Sequence, residues 1–288
     1  PLYNLSKIMR IVEMGNFQVD LKVNSKDEIG MITNSFNSMV ARIRDLIKEN
    51  YHIELRQKQA ELYALQFQIN PHFMYNTLET ISMAVEEGER DTVVEMVSLL
   101  GNMLRFSLSN KDRILIFQRE VDHIHNYLKI QKFRFEDRLH FSIHSDIDLE
   151  RHYCPKFILQ PIIENCIKHG LEKRRDDLQI NVLVTFVPGV SGNQDVLVRV
   201  TDNGTGIDEK TLVDIHEMLR SNPIARRNSG FGLLNVHART VMLFGEGYGT
   251  TVESKLNEGT SVELRIPIID SFEQAQLYDR REGGLYIE

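Results

Sequence analysis

The sequence predicts a multidomain chain of class α and α+β, helical through about residue 115 and mixed beyond it. Three observations carry that division. Apolar residues recur at three- and four-residue spacing from Ile32 to Leu46, and again in a shifted register from Leu55 to Ile69, the period of amphipathic helices. Two further helical stripes, one stopping at Gly88 and one running from Asp91 to Leu108, are joined by so short a connection that an antiparallel helical hairpin follows. After Leu115 helical stripes alternate with short strand-like runs and glycine-punctuated loops, the pattern of an α/β sandwich.

Residues 1–46 hold a short helix marked by Leu5, Ile8, Met9 and Val12, then a connector in which Phe17, Val19, Leu21 and Val23 alternate. A second helix opens at Asp27-Glu28-Ile29-Gly30, where its carboxylates meet the positive end of the helix dipole. Its stripe of Ile32, Phe36, Met39, Ile43 and Leu46 wants a partner helix. Residues 47–69 form a polar, helix-favouring connection with Leu55, Leu62, Leu65 and Ile69 on one stripe. The break near residues 50–52 shifts the register, and such shifts overwind or unwind a coiled coil locally.

Pro71 then removes one backbone hydrogen bond and crowds the Phe67 carbonyl, so a bend is expected just before His72. The hairpin occupies residues 70–115, and two such hairpins make a dimeric four-helix bundle. From 116 to 270 the expected order is a helix over 118–135, a strand over 139–145, and a helix opened by Pro155 and ending at His169. Strands over 179–187 and 195–201, a loop from Gly204 to Gly230, a helix over 233–244 and strands over 250–255 and 260–267 complete the domain. The tail, 271–288, is polar and is expected to add little to the core.

Composition narrows the function classes. The 288 residues are 42% hydrophobic and 26% charged, enough to bury a substantial core. A net charge of -7 and the lack of a Lys/Arg-rich block argue against direct nucleic-acid binding. Cys154 and Cys166 stand twelve apart without CxxC pairs, so reduced thiols are expected rather than a zinc site. No run of about eighteen apolar residues occurs, and a chain beginning at Pro1 reads as a piece of something longer, with a membrane span upstream left open.

The chemistry lies in four segments. Glu164-Asn165-Cys166-Ile167-Lys168-His169-Gly170 ends a helix, Asp202-Asn203-Gly204-Thr205-Gly206-Ile207 follows a strand, and Gly230-Phe231-Gly232-Leu233 opens a helix. An aspartate beside turn-forming glycines can accept a hydrogen bond from an exocyclic amine such as adenine's. Glycines leading into a helix offer backbone N–H groups and a positive dipole end to a polyphosphate. An amide oxygen such as that of Asn165 is a fair ligand for Mg²⁺, and Lys168, on the same helical face, could meet a phosphate. Taken alone, the second segment reads as a strand-ending turn and the third as a flexible loop; their order and company reverse that. The fourth segment, Asn70-Pro71-His72-Phe73-Met74-Tyr75-Asn76-Thr77-Leu78, presents one imidazole of ten on a helix, and a neutral imidazole nitrogen can attack a γ-phosphoryl group without prior deprotonation.

With Pro1 at its start and Asp27-Glu28-Ile29-Gly30 opening its second helix, residues 1–46 resemble a HAMP domain. The three glycine-associated segments, with Glu258-Gly259-Thr260 as a closing turn, resemble the N box and glycine boxes of the GHKL (Bergerat) ATP-binding domain shared by histidine kinases, gyrase and MutL. That resemblance implies that Asp202 recognises adenine, that Asn165 holds Mg²⁺, and that Lys168 and the turn from Gly230 through Phe231 and Gly232 to Leu233 contact phosphates. His169, Gly204, Gly206, Ile207 and Thr260 complete the ATP site, and residues 204–229 form the lid. Hydrolases of the group place a glutamate four residues before the N-box asparagine; Pro161 stands there, which disfavours hydrolysis. Glu164 is the remaining candidate acid–base group and projects in another direction.

Segment Asn70–Leu78, followed by Leu159-Gln160-Pro161-Ile162-Ile163-Glu164-Asn165, closely resembles the LytS/YesM sensor histidine kinases. The resemblance implies a homodimeric cytoplasmic portion of a bacterial membrane sensor, in which ATP·Mg²⁺ phosphorylates His72 and the group passes to an aspartate of a response-regulator receiver domain. It assigns Asn76 a part in dephosphorylating that partner. Phe73 departs from most other histidine kinases, which carry Glu or Asp there, so the group orienting His72 is left unassigned. Two other readings compete: a GHKL ATPase acting as a conformational clamp, against which Pro161 and the His72 hairpin stand, and a non-catalytic dimeric scaffold, against which Asn165, Asp202, Gly206, Gly230 and Gly232 stand.

Overall fold

The computed structural model describes residues 9–10, 12, 29–46, 71–109, 113–171, 177–189, 192–220 and 232–285. It divides into two compact units, Pro1–Gln68 and Ile69–Glu288. The connector alternation, the stripe over 47–69, the bend before Pro71 and Asn70 itself lie outside the described residues.

In the first unit a helix, α1, spans 29–46. Phe36 and Val40 are buried, whereas Ile32, Met39 and Leu46 are exposed. The expected stripe is therefore split between two faces: one already covered, the other a row of apolar residues seven apart. Thr33 Oγ1 donates to the Ile29 carbonyl at 2.7 Å, which hides its hydroxyl on the covered face.

The second unit begins with the hairpin α2 (Pro71–Glu86) and α3 (Arg90–Leu108). Gly88 closes the turn with φ +78°, a conformation glycine adopts without strain. Then come β1 (Ile114–Ile116), α4 (Phe117–Phe135), β2 (Leu139–Ser145), β3 (Tyr153–Pro155), α5 (Gln160–Gly170), β4 (Leu178–Pro188), β5 (Gln194–Asp202), α6 (Glu209–Arg220), α7 (Gly232–Phe244), β6 (Gly249–Lys255), β7 (Gly259–Pro267) and α8 (Phe272–Leu285). The main sheet has the order β2-β4-β5-β7-β6, with β2 and β4 parallel and the other pairs antiparallel. Leu178, Ile180, Val182 and Val184 alternate inward along β4, as a sheet covered on one face requires, and α4, α5 and α7 pack against the sheet. On the open face Arg199 pairs with Glu263 across strands, Nε to Oε1 2.8 Å.

One hydrophobic cluster runs from Phe73, Met96, Leu100 and Phe106 of the hairpin through Ile124 and Leu128 to Ile163, Val198 and Leu264. The hairpin thus shares its core with the α/β layers, and the Phe73 ring meets Tyr127 of α4 at 5.1 Å.

The structure corrects three expectations. The helix of the N-box segment does not open at Pro155, which pairs with Ile114 as the end of β3; it opens at Gln160, with Pro161 in its first turn. Between them Phe157 takes φ +58°, held there because the buried Glu120 carboxylate accepts the Phe157 and Leu159 N–H groups at 2.9 and 3.0 Å. Second, the segment expected as a loop from Gly204 to Gly230 contains α6, started by Asp208, whose carboxylate takes the Thr211 N–H at 3.0 Å and its hydroxyl at 2.7 Å. Third, the tail is not idle. Ala275 of α8 is buried with Ile114 and Ile269, Tyr278 meets Phe244 edge-on at 4.9 Å, and Asp279 accepts the Arg113 N–H at 2.8 Å.

Candidate functional site

Asp202 closes β5 opposite Thr260 of β7 and Ile180 of β4, so three strand ends converge on it. Its carboxylate accepts the Gly204 N–H at 2.8 Å and is also bonded by the Cys166 thiol and the Thr260 N–H. Burial pushes the carboxyl above its usual range, against the pull of these donors and of His169. The Cys166 thiol is pushed up in turn by burial and by Asp202.

The glycines next to this carboxylate are there because nothing larger fits. A Cβ on Gly204 would sit 2.8 Å from Asp202 Oδ1 and 3.2 Å from the Gly170 Cα. Gly206, at φ +63°, would drive one into the Lys255 carbonyl, and Gly259, at φ +112°, into the Asp202 carbonyl. Both conformations favour glycine independently of the space. Ser254 ties the turns together: its Oγ donates to the Gly259 carbonyl at 2.8 Å, receives the Ile207 N–H at 2.9 Å and lies 2.9 Å from Thr260 Oγ1. Thr205 Oγ1 reaches the His169 carbonyl at 3.3 Å, joining the turn after β5 to the end of α5.

Helix α5 supplies the rest. Asn165 is half-buried, and Lys168 and His169 are exposed in the last turn. Glu164 is half-buried on another side, where its Oε1 accepts Gln160 Nε2 at 2.7 Å; burial raises its carboxyl more than that bond lowers it. Gly232 starts α7 beside α5, since a Cβ on it would lie 3.1 Å from Pro161 Cβ. Leu233 is buried behind it. Gly230 and Phe231 lie outside the described residues.

His72 stands elsewhere, exposed in the first turn of α2, with Asn76 Nδ2 3.3 Å from each ring nitrogen. The structure thus gathers Asn165, His169, Asp202, Gly204, Gly206, Ile207 and Thr260 around one strand-and-helix corner, and keeps His72 and Asn76 together on the hairpin. Cys166 and Ser254 were not singled out in the sequence. Cys166 had a signal in its place beside Asn165, whereas Ser254 had none, because only the β6–β7 pairing brings it to the site.

A half-buried carboxylate held by backbone N–H groups and a thiol keeps acceptor capacity for an amine. No group of three His, Cys, Asp or Glu side chains suited to a metal occurs among the described residues. The single amide of Asn165 therefore suits Mg²⁺ held chiefly by phosphate oxygens and water. The mixed sheet, the N-box helix and the two glycine turns define an ATP-binding domain of the histidine kinase, gyrase B and HSP90 type, joined to a helical hairpin that carries an exposed histidine.

Comparison with known proteins finds three family matches along the chain. Residues 1–45 match the HAMP domain, residues 60–139 the histidine kinase family and residues 155–270 the histidine kinase-, DNA gyrase B- and HSP90-like ATPases. The sensor histidine kinase YesM of Bacillus subtilis is 36% identical over 93% of this chain and 44% of its own length. The sensor protein LytS of Bacillus cereus is 29% identical over 90% of this chain and 44% of its own. The sensor protein kinase HptS of Staphylococcus aureus is 30% identical over 86% and 46%. The chain spans less than half the length of these relatives. Among solved structures, the histidine kinase domain of the Erythrobacter litoralis EL346 blue-light activated histidine kinase aligns over 78% of this chain and 98% of that one at 13% identity, with a TM-score of 0.40. The chain belongs to the sensor histidine kinases of the YesM and LytS kind.

Proposed function

We propose that this chain is the kinase portion of a two-component membrane sensor, binding ATP at the Asp202 corner and transferring its γ-phosphoryl group to His72. The observation that carries this reading is the pairing of a built nucleotide corner with an exposed imidazole on a separate helical face. Asp202 accepts the adenine amine, with Thr260 and Ser254 fixing the strand ends behind it. Asn165 would hold Mg²⁺, which would neutralise charge on the phosphates. Lys168 and the N–H groups leading into α7 at Gly232 hold those phosphates in place. Catalysis rests on positioning and charge neutralisation. A ring nitrogen of His72 bonds to the γ-phosphorus while the bond to the bridging oxygen breaks, and ADP leaves with that electron pair.

The same reading makes the chain a homodimer that hands the phosphoryl group to an aspartate of a receiver domain. Leu78 and Val85 on α2, and Val94 and Val97 on α3, are each at least half exposed. Leu78 and Val85 lie seven apart, as a helix-bundle seam requires. Asn76, bonded to His72, would orient water for hydrolysis of the partner's phosphoaspartate. No helix among the described residues is long and apolar enough to cross a membrane; attachment would come through the sequence preceding the HAMP domain.

Incubation with γ-labelled ATP tests the reading directly. Wild-type chain is expected to take acid-labile, alkali-stable label and His72→Gln none, while both bind ATP equally. Fast phosphate release without protein label would support the clamp ATPase instead, and no nucleotide binding at all would support the scaffold.

A further inference from the structure

Of the side chains around α5, one polar chain is absorbed by neither nucleotide binding nor phosphoryl acceptance. His123 of α4 is 2% exposed, its ring stacked on Phe106 at 4.1 Å and crossed edge-on by Phe157 at 5.5 Å. His123 Nε2 lies 2.8 Å from Gln160 Oε1, and Gln160 Nε2 lies 2.7 Å from Glu164 Oε1.

The direction of this chain is fixed by its last member. A carboxylate only accepts, so the Gln160 amide must turn its NH₂ to Glu164 and its oxygen to His123, which makes His123 Nε2 the donor. His123 Nδ1 is then the acceptor nitrogen, buried and, among the described residues, without a hydrogen-bond partner. The amide that grips Glu164 is thus braced at its other end by a buried imidazole N–H.

Geometry on α5 says what the grip does. Gln160 and Glu164 are one turn apart and share the face turned to α4. Pro161, Asn165, Lys168 and His169 lie on the side of the nucleotide corner, where Gly232 and Thr205 meet the helix, and none of the four is a carboxylate. Glu164 is next in sequence to Asn165 and is the nearest acid on the helix. A side chain rotated from one face to the other would put a proton acceptor beside the γ-phosphate. There a water oxygen would bond to phosphorus, the bond to the bridging oxygen would break toward ADP, and the water proton would pass to the carboxylate.

We infer that Gln160 is a specificity-determining residue: by holding the Glu164 carboxylate on the α4 face of α5, it keeps water from competing with His72 for the γ-phosphoryl group. This deepens the kinase reading and rests on it.

The experiment measures, for the whole chain with γ-labelled ATP, the ratio of inorganic phosphate released to label retained on protein. Gln160→Met, which keeps the length and removes both hydrogen bonds, is expected to raise that ratio about tenfold, a modest share of what a placed general base provides. Adding Glu164→Gln to it is expected to return the ratio to that of wild type. A purely structural role for Gln160 predicts instead that label and release fall together with the ratio unchanged. Should Gln160→Met fail to bind ATP, Gln160→Glu replaces it, since like charge one turn away expels Glu164 and is expected to raise the ratio in the same way. An unchanged ratio in an ATP-binding variant, or a rise that persists in the double variant, overturns the inference. Wild-type chain that takes no label on His72 overturns the kinase reading itself, an outcome distinct from both.

Discussion

The two halves of the proposed reaction are built to opposite standards. On the nucleotide side, Asp202, Gly204, Gly206, Ser254, Gly259 and Thr260 are locked to one another by strand pairing, positive-φ glycines and short hydrogen bonds. On the acceptor side, His72 is exposed, and among the described residues its ring nitrogens meet Asn76 of its own helix. Its neighbour Phe73, where a carboxylate would orient the ring in most histidine kinases, is buried against Tyr127 instead. The contrast teaches that the chain spends its rigidity on holding the donor. In the proposed reaction an acceptor so exposed would be free to meet two different groups in turn, a γ-phosphate and a partner's aspartate, which a tightly caged imidazole could not do.

The largest break in that comparison is expected where the donor corner is most constrained. Gly259→Ala puts a Cβ into the Asp202 carbonyl at a φ that alanine resists, and both obstacles are backbone. A loss of about 4 kcal/mol in unfolding free energy is expected, together with ATP binding. Denaturant unfolding beside nucleotide titration checks it, and a variant as stable as wild type would show that the corner yields. Glu120→Ala comes next: it leaves the half-buried Phe157 and buried Leu159 N–H groups unpaired at the approach to α5, worth about 3 kcal/mol by the same measurement.

A third prediction of similar size concerns the buried His123 of α4. Burial pushes His123 down to about 4, helped by the charge of Lys156 and opposed by Gln160. A base depressed in the folded chain contributes stability that is present above its unfolded value, near 6.5, and lost as pH falls through its folded value. Between pH 6.5 and 4 the wild type therefore loses up to about 3 kcal/mol through this one ring. His123→Phe keeps the stack on Phe106 and removes the titration, so its unfolding free energy is expected to fall less over that window. Equal slopes would mean that the buried ring is wetter than the structure has it.

How much of this was readable from the sequence follows the same division. The hairpin and seven of the strand and helix spans in the α/β layers were legible because alternation and three-four spacing report burial directly. The glycine turns were legible because Asp202-Asn203-Gly204 and Glu258-Gly259-Thr260 carry local backbone demands. Pro155 misled, since a proline opens helices and ends strands equally well, and the choice rests on Ile114, some forty residues upstream, which claims it for β3. Helix α6 was hidden by its neighbours: Asp208 and Thr211 form a good cap, but the glycines before and after it made the whole segment look like loop. The tail looked idle because its anchoring partners, Ile114, Phe244 and the Arg113 N–H, are distant in sequence. Gln160 was visible only as part of a family motif; that it grips Glu164 depends on His123 from another helix.

The smallest expected effect falls on the acceptor side and sharpens the comparison most. Asn76 Nδ2 lies equally far, 3.3 Å, from both His72 ring nitrogens, so it steadies the imidazole without committing it to one tautomer. An exposed hydrogen bond of that length is worth about 0.5 kcal/mol, or roughly twofold in a rate. Asn76→Ala should therefore slow labelling of His72 by about twofold and leave the melting temperature where it is. If Asn76 also orients water at the partner's phosphoaspartate, the same variant should lose far more of the dephosphorylating activity than of the labelling. The two assays separate the roles: equal, small losses in both would leave Asn76 as a steadying contact, whereas a large loss of labelling would mean that the acceptor is held as strictly as the donor, against the contrast drawn above.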